Sequence, residues 1–140
     1  MNTIQKIEVW GDTHHPRWLD IIRIPFGIFL LYKGIYFIQN TDAILALIES
    51  PDGAFLAFSI AHYVAFAHLV GGLLITLGMF TRMACMFQIP VLLGAVFYIN
   101  LSKGIFNSEF EISLLVLILL IVFLVLGSGK ISVDNYIVND

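Results

Sequence analysis

Hydrophobic and polar positions divide this chain into four long apolar runs that are separated by short polar segments. A helix needs about 20 mainly apolar residues to cross the hydrocarbon core of a bilayer. The run from Phe55 to Leu77 is long enough and contains no Asp, Glu, Lys or Arg. The pattern therefore predicts four membrane spans, at approximately residues 19–37, 55–77, 83–99 and 111–126.

Small residues mark one face of the second predicted span, because residues three or four apart lie on the same side of a helix. Small side chains allow a neighbouring helix to approach closely, which is how helices associate in lipid. In the first predicted span Gly27 and Gly34 share a face with Arg23, and we predict that this face packs against the second span. The marked face of the second span consists of Ala57, Ala61, Ala65, His68, Gly72 and Thr76.

The polar segments carry signals for helix ends. Ser50-Pro51-Asp52 combines a capping residue, a proline suited to a first helical turn and an acid favoured by the helix dipole. Gly78 is predicted to end the second span and Thr81 to cap the third. Ser108 and Glu111 have the spacing of a capping box before the fourth span. The short connections predict one all-α domain over residues 1–140, an integral membrane four-helix bundle with up-down-up-down topology.

Basic residues outside the spans predict the orientation in the membrane. Lys6 and Arg17 precede the first span, Arg82 separates the second from the third, and Lys130 follows the fourth. Cytoplasmic segments carry an excess of Lys and Arg, so both termini are predicted to be cytoplasmic. The expected location is the cell membrane, in a bacterium the inner membrane, with the lipid bilayer as the immediate partner.

Composition agrees with a membrane protein. The 140 residues are 59% hydrophobic and 12% charged, whereas a soluble domain has about 25% charged residues. The net charge of -3, without a basic patch, argues against binding to nucleic acid. Cys85 is the only cysteine, which excludes an intrachain disulfide. The first apolar run lacks a cleavage site and is predicted to be a retained span.

Two features precede the first span. Ile4, Ile7 and Trp10 recur at helical spacing, which fits either a short helix in the membrane interface or a loosely ordered N-terminus. His14 and His15 are adjacent, and adjacent side chains point in different directions from a helix. We therefore predict a surface pair and no metal site.

Three stretches occur in a fixed order along the chain: RIPFGIFLLYKG, HLVGGLLITLGMFTR and GSGKISVD. Together they resemble the DoxX family of small four-helix membrane proteins, from Arg17 onward. The family takes its name from a subunit of a thiosulfate:quinone oxidoreductase, and other members are associated with oxidative-stress complexes. The resemblance therefore implies a membrane protein linked to quinone redox chemistry. Many members have an acidic residue at the place of His68, so proton or quinone handling is expected to differ here.

Polar residues inside the spans are the candidates for chemistry, because each buried polar atom needs a partner. By depth along the helices, Arg23, His68 and Gln88 fall in the cytoplasmic half of the membrane. Such a group could form a quinone pocket, in which imidazole donates to a carbonyl or delivers a proton and a cation favours negative charge. The alternative is structural: His68 bonds a carbonyl freed by Pro90 or Pro25, and Arg23 extends towards the headgroups.

A second polar group is predicted in the outer half of the membrane. His62, Lys33 and Glu109, with Asn100 and Glu111 nearby, could bind a polar substrate or the loop of a partner protein. The alternative is again structural, since acids in a first helical turn complement the helix dipole and a lysine near a helix end reaches the headgroups.

Two functional hypotheses follow. The first is a quinone- or quinol-linked accessory subunit that works with a partner oxidoreductase. The second is a non-catalytic membrane scaffold or assembly factor, since small-residue faces suit packing against other helices or a second copy of the chain. No cofactor is required by the sequence, although a quinone is compatible with it. The fourth span has no ionisable residue in its interior, which argues against an ion pump.

Overall fold

A computed structural model of the protein describes residues 1–47, 53–100 and 108–139, and in these residues the regular structure is entirely helical. Four helices are long and apolar enough to cross a membrane, as predicted. They are α2 (Arg17–Gln39), α4 (Ala54–Leu77), α5 (Thr81–Gly94), continued by a π-helical segment (Ala95–Asn100), and α6 (Ser108–Leu126). Three shorter helices accompany them: α1 (Thr3–His14), α3 (Thr41–Leu47) and α7 (Val133–Asn139).

Among the predicted helix-end signals, the one at Gly78 is confirmed and the one at Thr81 is wrong. Gly78 ends α4 in the left-handed region, with φ of 68°, and α6 begins at Ser108. Thr81 is the first residue of α5 and does not cap it, because the capping position is taken by Phe80. The carboxylate of Asp134 accepts a hydrogen bond of 3.1 Å from the backbone N–H of Phe80. Ser50-Pro51-Asp52 lies outside the described residues.

Glycines bring α2 and α4 into backbone contact, which confirms the predicted packing of the two small-residue faces. A Cβ atom placed on Gly72 would lie 2.5 Å from the backbone nitrogen of Leu31. A Cβ on Gly27 would lie 2.5 Å from the backbone nitrogen of Thr76, and one on Gly34 would lie 2.7 Å from that of Leu69. These distances are shorter than any Cβ contact tolerates, so close approach of these helices requires glycine.

The bundle has apolar side chains on its outer surface and a mixed interior. Phe66, Tyr98 and Ile118 are among the large side chains that are exposed on the spans. Within the core, Phe26 and Phe123 stack with ring centroids 5.8 Å apart. Six polar or charged residues are buried in the described part of the chain: His15, Asp20, Arg23, His68, Thr81 and Gln88. Lipid offers polar groups no hydrogen-bond partners, which favours the position of these six side chains inside the bundle.

The N-terminus is helical, so the alternative of a loosely ordered segment is wrong. Gly11 of α1 packs against the end of α6, where an added Cβ would touch the carbonyl group of Val125. Ile4, Ile7 and Trp10 remain exposed. A helix that presents such residues outside the bundle fits the predicted position in the membrane interface.

Candidate functional site

Gln88 is a fully buried amide at the contact between α4 and α5. Its side chain is 0% exposed, and its Nε2 donates a hydrogen bond of 2.8 Å to the backbone carbonyl of Ala67. Gly71 provides the space, since a Cβ there would lie 2.8 Å from Nε2. The Oε1 atom is buried and has no hydrogen-bond partner among the described residues. Gln88 therefore keeps an unsatisfied acceptor inside the bundle, which is costly unless something occupies it.

His68 lies next to Ala67 and is 6% exposed. Its Nδ1 is 2.9 Å from the backbone carbonyl of Val64. A carbonyl oxygen only accepts, so Nδ1 carries the hydrogen, and Nε2 of the neutral ring is an acceptor. The ring edge also meets Phe37 of α2, at a centroid distance of 5.0 Å. The predicted bond to a carbonyl freed by a proline is wrong, because the carbonyl belongs to the preceding turn of α4.

Tyr63 supplies a second hydrogen bond between α4 and α5 that sequence reasoning missed. Its hydroxyl group donates to the backbone carbonyl of Phe87 at 2.9 Å. Tyr63 and Ala67 are one turn apart, so the two interhelical hydrogen bonds lie one turn apart along α4. Helix α4 donates the first bond and α5 donates the second. The available signal was the spacing of four residues between Tyr63 and Ala67, which places the two on one face of α4.

Arg23 occupies a different place from the other two residues of the predicted pocket. Its guanidinium group forms a 3.0 Å ion pair with Asp20 and donates to the backbone carbonyls of Ser128 and Ile131. A Cβ on Gly78 would lie 3.0 Å from the Arg23 Cζ. Gly78 is ten residues beyond His68, or about 15 Å along α4. The structure thus places Gln88 against Ala67, the residue before His68, and separates Arg23 from both.

Arg23 does not extend towards the headgroups either, since it is 1% exposed. Asp20, which the sequence analysis missed, supplies its counter-charge from the preceding turn of α2. Gly129 makes room for this pair, because a Cβ there would lie 2.9 Å from the Asp20 Cγ. The i, i+3 spacing of Asp20 and Arg23 was the signal that could have revealed the ion pair.

The structure does not bring His62 and Lys33 of the predicted outer group to the same level of the bundle. His62 is exposed, and its Nδ1 bonds the carbonyl of Phe58 in its own helix at 2.8 Å. Lys33 is half-buried, next to Gly34, which packs at Leu69, about two turns of α4 away from His62. The Nζ atom of Lys33 lies 5.8 Å from the ring centroids of two aromatic residues, Phe29 and Tyr36. Glu109 is exposed in the first turn of α6, as is Glu111.

The adjacent histidines before α2 separate into one exposed and one buried residue. His14 is exposed and stacks on Trp10 with ring centroids 4.7 Å apart. His15 is buried against Gly129, so the predicted surface pair is half wrong. The reason is the glycine-rich segment after α6, which folds over His15 and was too distant in sequence to be anticipated.

The sequence matches a family model. The DoxX model aligns with residues 18–101, which is more than half of the chain and includes α2, α3, α4, α5 and the π-helical segment. Comparison with curated proteins and with solved structures gives no match. The four candidate spans and the family match together describe a multi-pass membrane protein. The chain belongs to the DoxX family.

Proposed function

We propose that this protein is a quinol- or quinone-linked accessory subunit of a membrane oxidoreductase system, located in the bacterial inner membrane. The observation that carries the proposal is the buried, unpartnered Oε1 of Gln88, at the same level of α4 as His68. A polar atom without a partner inside a membrane bundle is a functional hypothesis by default. The ring of Phe37 beside His68 adds an aromatic surface that suits a quinone head group.

The hydrogen-bonding roles at this site favour the reduced form of such a ligand. The Nε2 atom of His68 and the Oε1 atom of Gln88 are both acceptors without a partner among the described residues, and one of the two amide hydrogens of Gln88 is directed to Ala67. A quinol has hydroxyl donors that can meet acceptors, whereas a quinone has carbonyl acceptors only. When bound, a quinol supplies a two-electron reductant, while His68 and Gln88 hold and orient its hydroxyl groups in this proposal.

Arg23 has no part in the proposed site, because its hydrogen bonds and its ion pair fasten the segment after α6. This use of a buried cation favours the second candidate, a scaffold or assembly factor for a partner complex. Tyr63 acts in the same way, since its hydroxyl group joins two helices. Both proposed functions require a partner protein, and that partner could be a second copy of the chain.

The proposed topology is up-down-up-down with both termini in the cytoplasm. Its support is the position of the basic residues: Arg82, at the start of α5, contacts α1 and the end of α6. Arg23, near the start of α2, contacts the segment that follows α6. Labelling single cysteines at residues 3 and 136 in closed membrane vesicles tests this arrangement, and labelling of either site from the periplasmic side would contradict it.

Binding of a short-chain benzoquinone and its hydroquinone to the purified protein, measured anaerobically by equilibrium dialysis, tests the quinol site. The hydroquinone should bind at least about tenfold more tightly than the quinone. His68→Leu and Gln88→Leu should each weaken hydroquinone binding by about tenfold. His62→Leu is the matched control, because it changes an exposed histidine of the same helix.

Each outcome separates the candidates. No binding of either form to the folded wild-type protein would contradict the quinone-linked function and favour the scaffold. Equal binding of both forms would retain a quinone-linked function but overturn the acceptor roles assigned to His68 and Gln88. An equal loss of binding in His62→Leu would show that the ligand sits on the outer surface of α4 and not at its contact with α5.

A further inference from the structure

A cavity of about 240 Å³ lies at the start of α5, away from Gln88. Its walls include the first turn of α5, Asp12 of α1, Gly127 after α6 and Asp134 of α7. Thr81 and Gln88 are seven residues apart, or about 10 Å along α5, so the two sites are separate. The cavity therefore presents a second place on the bundle where a ligand could bind.

Unsatisfied donors surround this cavity. Thr81 lines it and is 1% exposed, and its Oγ1 has no hydrogen-bond partner in the described part of the chain. The Nε of Arg82, which only donates, is likewise buried and unpartnered there. A helix also leaves its first N–H groups without intrahelical acceptors, and α5 is a 14-residue helix with its N-terminus at this cavity. An acceptor-rich, negatively charged group is the complement of such donors.

Carboxylates near the cavity indicate that the ligand also carries a positive charge. Asp12 is 64% exposed and accepts a 3.0 Å hydrogen bond from Arg82, which also contacts Glu8 through its Nη1 at 3.8 Å. Asp134 lines the cavity while its Oδ1 accepts from the N–H of Phe80. These acids would repel a simple anion but attract an ammonium group. The lining therefore suits a zwitterion with one phosphate and one amine.

The position of the cavity points to a lipid. It lies where α4 has just ended and α5 begins, at the edge of two candidate membrane spans. Two large apolar side chains that line it, Phe80 and Met83, are exposed. Aromatic side chains concentrate at headgroup depth in membranes, and apolar ones beside a polar cavity can contact acyl chains. We propose that this cavity binds the phosphoethanolamine headgroup of a membrane phospholipid.

Native mass spectrometry of the detergent-solubilised full chain with added lipids tests the proposal. Phosphatidylethanolamine should bind at least about tenfold more tightly than diacylglycerol or phosphatidylglycerol with the same acyl chains. Thr81→Val should weaken binding by about fivefold and leave the fold intact, because it removes only an unsatisfied buried hydroxyl group. Arg82→Gln should weaken binding by about tenfold, and Thr81→Val still decides the outcome if Arg82→Gln fails to fold.

The controls separate this site from general lipid adhesion. Arg17→Gln removes the same charge from an exposed position at the start of α2 and should leave binding unchanged. Equal binding of diacylglycerol, or equal losses in Arg17→Gln and Arg82→Gln, would overturn the proposal. Wild-type affinity in Thr81→Val would also overturn it. If inorganic phosphate displaced the lipid at comparable concentration, the ligand would be a soluble phosphate and the lipid assignment would be wrong.

Discussion

Asp20 and Arg23 form an ion pair of 3.0 Å in which each side chain is 1% exposed, one helical turn apart in α2. The pair is completed by backbone groups of the segment after α6, since Asp20 accepts from the N–H of Ile131 at 3.3 Å and Arg23 donates to Ser128 and Ile131. Hydrogen bonds to both partners are what make a buried ion pair tolerable in a low-dielectric interior. The start of the first span is therefore fastened to the end of the last.

Removal of one charge from this pair should destabilise the protein strongly. Asp20→Asn leaves Arg23 buried without a counter-ion, which costs about 3–5 kcal/mol of unfolding free energy. Denaturant unfolding in detergent micelles, followed by circular dichroism, measures the change. Asp42→Asn, an exposed acid in α3, is the control and should unfold like the wild type. The double variant Asp20→Leu/Arg23→Met should recover most of the loss, and wild-type stability of Asp20→Asn alone would refute the role of the pair.

Glycine at the contact between α2 and α4 should be irreplaceable. In Gly72→Ala the new methyl group would meet the backbone of Leu31 at 2.5 Å, so the helices must separate, at a cost of about 1–3 kcal/mol. Gly94→Ala is the matched control, because nothing lies within 4 Å of a Cβ there and alanine favours a helix. Thermal unfolding of the two variants should therefore shift in opposite directions, and equal shifts would exclude a steric cause.

The hydroxyl group of Tyr63 should contribute a modest but measurable stabilisation. Tyr63→Phe removes the hydrogen bond to the Phe87 carbonyl and little else. Interhelical hydrogen bonds in membrane proteins contribute about 0.6 kcal/mol on average. Unfolding of Tyr63→Phe should show a loss of that order in comparison with Tyr32→Phe, which changes an exposed tyrosine of α2. A loss in both variants alike would mean that the bond between α4 and α5 contributes nothing.

Cys85 should be inert in the folded protein. Its thiol group is buried in α5 with 0% exposure. A membrane-permeable maleimide should modify the wild-type protein only after denaturation, as read by intact-protein mass spectrometry. Met83→Cys in a Cys85→Ser background supplies the positive control, because Met83 is exposed. Rapid labelling of Cys85 in the native protein would show that the interior of the bundle is open there.

Local sequence patterns were sufficient to predict the four spans and the contact between α2 and α4. Hydropathy indicates which segments face lipid, and glycine spacing indicates where two backbones meet. Both signals lie within a single helix, so the sequence alone was enough to predict them. Depth along a helix, by contrast, does not say which neighbour a side chain meets. Arg23 was grouped with His68 on depth alone, whereas its partners Ser128 and Ile131 are 105 and 108 residues away in sequence.

The buried polar residues also include some that the sequence predicted and some features that depend on packing between distant segments. Gln88 was identified because an amide in an apolar run stands out, yet its unpartnered Oε1 depends on the packing of α5 against Gly71. The cavity at Thr81 combines residues from four segments of the chain, and no spacing rule in the sequence connects them. His15 was taken for a surface residue because the glycine that covers it follows the last span.

The ion pair at the start of α2 also bears on the order of events during synthesis. A ribosome completes Asp20 and Arg23 long before Ser128 and Ile131, so the two side chains must neutralise each other while later helices are still being inserted. The carbonyl groups that accept hydrogen bonds from Arg23 are made 105 and 108 residues later. Until that segment is made, the start of α2 lacks the hydrogen bonds that hold it to the segment after α6, so these contacts form only after all four spans have been synthesised.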